Sequence, residues 1–275
     1  MSRPCCTAEI SPSSSTTVPS SGGRPGRAIR THSRISRSPS IEWLEYPATA
    51  PKRWSEVKAD PSFVIEQLSA AYGPVVWSPR LEPIDELIFT VLTQHTSDLN
   101  AERAFQKMRG RYRSWEEVMA ARPEELAEVI RTGGLANQKS VRIQQILFEI
   151  RAKAGGFDLR FLGLMPLPKA KAWLTALPGV GPKTAAVTLA FSLGMPAMPV
   201  DTHIYRVAGR LGLIRKKTSV DDAHDVLERM VPPGDVFRFH VLLIQHGRKT
   251  CRARSPLCGS CALSARCPAR RSFKS

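Results

Sequence analysis

Acidic side chains are scarce in this 275-residue chain. Asp and Glu number 24 against 40 Lys and Arg, which gives a formal charge of +16 and a pI near 10.1. So basic a balance favours an anionic partner, and nucleic acid is the commonest one. The excess is not confined to a tail: residues 1–40 hold six Arg and one acid, and the remainder still carries +11. Long apolar runs are missing as well. No stretch approaches the roughly 18 residues that would span a membrane, so no membrane partner is expected. The N-terminus lacks the apolar core of a secretory signal. Segments of alternating apolar and polar residues are also lacking, which argues against a sheet protein. No repeat of fixed period is present, which excludes a solenoid.

Residues 1–40 contain eleven Ser, five Pro and three Gly with almost no apolar periodicity. A disordered basic extension is expected over 1–50. Its Arg-rich, acid-poor composition also fits an organellar transit peptide, the lesser alternative to a protein of the cytoplasm and nucleoid. Cys5 and Cys6 stand alone in this tail. The other four cysteines fall between 251 and 267. Such clustering without a secretory signal points to metal ligation in a reducing compartment, not to disulfides.

From about residue 55 the periodicity is helical. Ile84, Leu87, Ile88, Val91 and Leu92 recur on one helix face. Leu126, Val129 and Ile130 form a second face that stops at Gly133-Gly134. Ile143, Ile146, Leu147 and Ile150 form a third that stops at Gly155-Gly156. Ile204, Val207, Ala208 and Leu211 make a later face, and Ala223, Val226, Leu227 and Met230 another. The fold class is therefore predicted to be all-α with short loops. Trp43, Trp54, Trp77 and Trp115 read as packing residues, and His240 and His246 as buried or supporting the cysteine cluster.

Residues 168–192 read PKAKAWLTALPGVGPKTAAVTLAFS. Two apolar helix faces flank Leu177-Pro178-Gly179-Val180-Gly181. The two glycines are expected to supply positive φ in a tight turn. Pro182 suits the first turn of the following helix, where its missing N–H costs little. A tight glycine turn at a helix N-terminus aims bare amides outward, and such a nest binds phosphate. An ordinary helix hairpin would use the same glycines merely to turn.

Lys183 follows that turn at once. Eighteen residues on, Asp201 opens the helix of Val200-Asp201-Thr202-His203-Ile204-Tyr205-Arg206. Taken singly, the lysine reads as a solvated side chain or phosphate contact and the aspartate as an N-cap. The C-terminal cysteines are spaced Cys251-x6-Cys258-x2-Cys261-x5-Cys267. Zinc sites usually pair two short C-x2-C knuckles, and only one is present here. Residues 248–275 carry eight Lys or Arg and no acid, with Arg252 and Arg254 inside the first cysteine loop as candidate phosphate contacts.

LPGVGPK followed by the Asp of VDTHIYRVAGRLG, with the 6-2-5 cysteine spacing, resembles the endonuclease III family of the helix–hairpin–helix (HhH-GPD) DNA glycosylase superfamily. The likeness runs from about 84 to 267. It implies two helical domains with a cleft between them. One is a six-helix barrel over 84–198 with its hairpin at 168–192. The other is formed by 51–83 and 199–275 and carries a [4Fe–4S] cluster on Cys251, Cys258, Cys261 and Cys267. Lys183 and Asp201 fall on the family's catalytic positions. Base-only relatives such as the adenine glycosylases usually lack that lysine.

The resemblance further implies Schiff-base excision of oxidised pyrimidines and β-elimination at the abasic site. Lys183 must be neutral to attack, so burial or a cationic setting is expected around it. The implied partner is double-stranded DNA with damaged bases or abasic sites, met by a monomer. Gly179, Val180, Gly181 and Thr184 would face the backbone. Two loops would fill the gap left by the extruded nucleotide. Leu135 is the apolar candidate; for the polar one, His95 occupies the family's usual Gln position and Gln94 precedes it. Residues 155–166 form a longer linker than usual. A glycosylase for uracil or mismatched thymine, and a non-catalytic binder of damaged DNA, are the alternatives.

Overall fold

The computed structural model describes residues 59–273, so the N-terminal extension, Cys5, Cys6, Trp43 and Trp54 lie outside the described residues. Within them the chain is all helical, with eleven α-helices, several short 3-10 turns and no strand. No described helix is long and apolar enough to cross a membrane.

Local chemistry sets most boundaries. α1 (Pro61–Tyr72) starts with Asp60 accepting the Phe63 amide at 2.9 Å and Pro61 in the first turn. α2 (Pro83–Thr93) and α5 (Pro123–Val129) also begin with proline. Serines cap α3 (Asp98–Arg111), α4 (Trp115–Ala120) and α10 (Val220–Met230). α6 (Ala136–Ala154) ends at Gly155. α7 (Leu167–Thr175) and α8 (Pro182–Leu193) form the expected hairpin. α9 (Thr202–Leu211) and α11 (Val236–Lys249) complete the set. The long linker is not a plain loop: Arg160–Leu164 make a 3-10 turn that buries Leu159 and Leu162.

The buried apolar side chains gather in two clusters. The first takes α2 to α8, from Ile84 to Ala197, and Val241 of α11. The second takes α1, α9, α10 and α11 together with Leu263 from the cysteine segment. The chain passes between them from Ala197 to Met198. Lys183 thus stands on an element of the first cluster, and Asp201 opens an element of the second. α9 and α11 approach closely because position 247 is glycine: a Cβ there would meet the His203 Cβ at 3.0 Å. Trp115 is buried under Arg109, whereas Trp77 is 38% exposed and donates its indole N–H to the Ala190 carbonyl at 2.8 Å.

Candidate active site

The hairpin turn uses its glycines differently from expectation. Only Gly179 has a positive φ, +72°. Gly181 sits at φ −88° and ψ 177°, an extended conformation open to any residue. Nothing among the described residues demands glycine there: nothing lies within 4 Å of where its Cβ would be, and it is exposed. The amides of Gly181, Lys183 and Thr184 donate to nothing among the described residues. The Val180 amide is spent on the Leu177 carbonyl at 3.2 Å, and its side chain is buried. Thr184 is buried too, and its hydroxyl accepts from Gln94 Nε2. The outward nest is therefore Gly181, Lys183 and Thr184, at the positive end of α8.

Lys183 is exposed and forms no ion pair or hydrogen bond among the described residues. The burial expected around this amine is not found. Asp201 is half-buried and is the N-cap of α9, accepting the Ile204 amide on Oδ1 at 2.7 Å. The cap clamps one oxygen, and Oδ2 has no partner among the described residues, so capping and chemistry are compatible in one carboxylate. The loop before it is fastened by Glu228, His224 and His240. The Met198 amide donates to Glu228 Oε2 at 3.0 Å, and His240 Nδ1–H donates to the Pro199 carbonyl at 2.9 Å.

His240 is also what relates the two candidates. It is buried, edge-on to Phe191, and close enough to Asp201, Lys183 and Arg80 for their charges to act on it. Burial holds its pKa down to about 4; Asp201 pulls it up and the two cations push it down. Sequence reasoning assigned this histidine to core or cluster support. The structure buries it as expected and adds its neighbours: Phe191 of α8 and the Pro199 carbonyl, two residues before Asp201.

The two loops expected to enter DNA abut each other. Thr96 Oγ1 lies 4.0 Å from where a Cβ on Gly134 would stand. His95 and Leu135 are both exposed and both adopt the left-handed region, at φ +54° and +50°. Left-handed backbone in a bulky residue is strained and clusters at functional positions. Gln94 points the other way, donating from Nε2 to Thr184 Oγ1 and accepting from Arg142, both at 3.4 Å. Arg142 also underlies the hairpin, since a Cβ on Gly179 would fall 2.5 Å from its side chain. Nothing in the sequence marked Arg142.

The four C-terminal cysteines line one small cavity with Arg210, His246 and Leu263. No three His, Cys, Asp or Glu side chains among the described residues are grouped to hold a single metal ion. Burial pushes the Cys261 and Cys267 thiols up, and the neighbouring sulfurs add to it. Four crowded soft thiols around a shared space suit a multinuclear cluster, whose positive irons reverse that penalty. Arg210 pins the first cysteine loop through the carbonyls of Arg252 at 2.6 Å and Ala253 at 3.0 Å. Arg252 and Arg254 are left exposed on it. His246 Nε2 lies 3.6 Å from Cys261 Sγ.

A basic all-α scaffold thus carries an exposed lysine from one hydrophobic cluster and a half-buried carboxylate from the other, with a glycine turn whose amides have no backbone partner among the described residues. Comparison with known proteins narrows this. A sequence model described as HhH-GPD superfamily base excision DNA repair protein matches residues 88–233. Endonuclease III of Thermotoga maritima is 34% identical over 186 residues, 68% of this chain and 83% of that one. Endonuclease III of Escherichia coli is 33% identical over 185 residues, 67% and 83%. A trapped endonuclease III–DNA covalent intermediate superposes with a TM-score of 0.67 at 29% identity, covering 77% of this chain and 95% of that one. The chain belongs to the endonuclease III family of the HhH-GPD superfamily and is a DNA glycosylase of base excision repair.

Proposed function

We propose that the protein is a bifunctional glycosylase and abasic-site lyase acting on oxidised pyrimidines in duplex DNA. The observation that carries the reading is that Lys183 on the first hydrophobic cluster and Asp201 on the second both lie within reach of buried His240 for their charges to act on it. The bare amides of Gly181, Lys183 and Thr184 would hold a backbone phosphate. Lys183 Nζ would attack C1′ of the extruded nucleotide while the bond to the base breaks and its electron pair leaves with the base. Asp201 Oδ2 would stabilise the positive charge developing on the sugar and accept a proton from the amine. The ring-opened Schiff base then loses a C2′ proton, and the C3′–O bond breaks with the phosphate as leaving group. The lysine is neutral at the moment of attack. Lys183 is exposed, so the bound strand would have to exclude water from it.

The four cysteines would hold a [4Fe–4S] cluster, which supplies a brace for the basic loop and one-electron capacity when bound. Arg252 and Arg254 on that loop would contact phosphates, and His95 and Leu135 would fill the gap in the duplex. The test is incubation with a duplex containing one abasic site and borohydride. A covalent protein–DNA band and strand scission are expected. Base release without either would leave a base-only enzyme, and tight binding with no base release a non-catalytic binder.

A further inference from the structure

Lys139 is 3% exposed and faces no carboxylate among the described residues. Burial alone pushes its pKa down to about 8. An unpaired buried ammonium is costly, so a chain that keeps one needs a compensating contact. Here the compensation is two backbone carbonyls. Nζ donates to Leu92 O at 2.7 Å and to Gly133 O at 2.8 Å. Leu92 lies in the last turn of α2, whose carbonyls have no partner within the helix. Gly133 closes the short 3-10 turn before α6. The partial negative charge at both helical ends favours a cation between them.

The two carbonyls belong to particular segments. Three residues after Leu92 comes His95, and two after Gly133 comes Leu135, the exposed residues with left-handed backbone. One side chain therefore ties together the bases of both loops. A methionine, one atom shorter, would take the same place on the apolar stripe of α6 with Ile143, Ile146 and Leu147 without burying a charge, but it would leave both carbonyls without this donor.

We propose that Lys139 is a positioning residue that sets the spacing of the His95 and Leu135 loops, so that both enter the duplex together when a nucleotide is extruded. This rests on the reading of those loops given under Proposed function. Extrusion is needed in duplex DNA and not in a single strand, and that contrast separates loop spacing from general stability.

Lys139→Met is compared with wild type in borohydride trapping on an abasic site in duplex and in single-stranded DNA. The duplex-to-single-strand rate ratio is expected to fall by about fivefold or more. A smaller change, or an equal loss on both DNAs, overturns the proposal. Duplex opening is read separately by 2-aminopurine fluorescence beside the lesion, with chemistry blocked by Lys183→Gln. Adding Lys139→Met is expected to abolish the rise seen on binding; a retained rise overturns the proposal. Should the methionine variant not fold, Lys139→Gln, which keeps one donor, goes through both measurements. Wild-type protein that opens duplex yet traps no DNA sinks the lyase reading alone, and the fluorescence then decides for Lys139.

Discussion

His240 donates its Nδ1–H to the carbonyl of Pro199 across 2.9 Å, two residues before Asp201. The bond requires the neutral tautomer with a bare Nε2 or the cation, and burial favours the neutral ring. With its pKa held at about 4 in the fold and near 6.5 when unfolded, the unfolded chain binds the extra proton between those values. The stability contributed is complete above pH 6.5 and is lost as pH falls toward about 4. Denaturant titrations at pH 7 and pH 5 should therefore show a drop. The charges of Asp201, Lys183 and Arg80 act on the ring and modulate the window. His240→Phe should flatten that part of the pH dependence; an unchanged slope would refute the assignment.

Asp201 serves as a cap and as a free oxygen at once. Asp201→Asn keeps an N-cap of similar strength, so its melting temperature should stay close to that of the wild type. Its base-release rate should fall by about a hundredfold or more while DNA binding persists. Asp201→Ala should add a loss of about 1 kcal/mol in stability. Lys183→Gln should bind DNA and form no borohydride adduct. Single-turnover kinetics and gel-shift titration read these outcomes together.

The directions of Gln94 and His95 make separate predictions. His95→Ala should slow excision in duplex by about tenfold, through loss of the side chain that fills the gap. His95→Gly should show the same kinetic loss without loss of stability, because glycine relieves the φ of +54°. Gln94→Ala should act more weakly on excision, through Thr184 and Arg142. A Gln94→Ala defect larger than that of His95→Ala would reverse the assignment of the two side chains.

Arg254 is exposed and has no hydrogen-bond or ion-pair partner among the described residues, whereas Arg210 anchors the loop beneath it. Arg254→Ala should weaken binding to all sequences alike and reduce the salt slope by about one. Fluorescence anisotropy across a salt series measures both. A sequence-dependent loss would instead indicate base contact.

Much of this was legible in the sequence because it depends on near neighbours along the chain. The 3.6-residue stripes, the proline starts and the glycine stops specified an all-α protein, since hydrogen bonds within a helix never leave it. LPGVGPK, the aspartate eighteen residues on and the 6-2-5 cysteine spacing named the family for the same reason. What only the tertiary structure decided concerns groups distant in sequence. Lys139 broke an apolar stripe that was readable, but its carbonyl partner 47 residues away was not. Periodicity gave His240 a buried place without saying beside what. It left Gln94 and His95 equal until packing turned one inward and the other out. Each of these outcomes depends on which backbone or charge another helix brings within reach, and such encounters leave no local pattern.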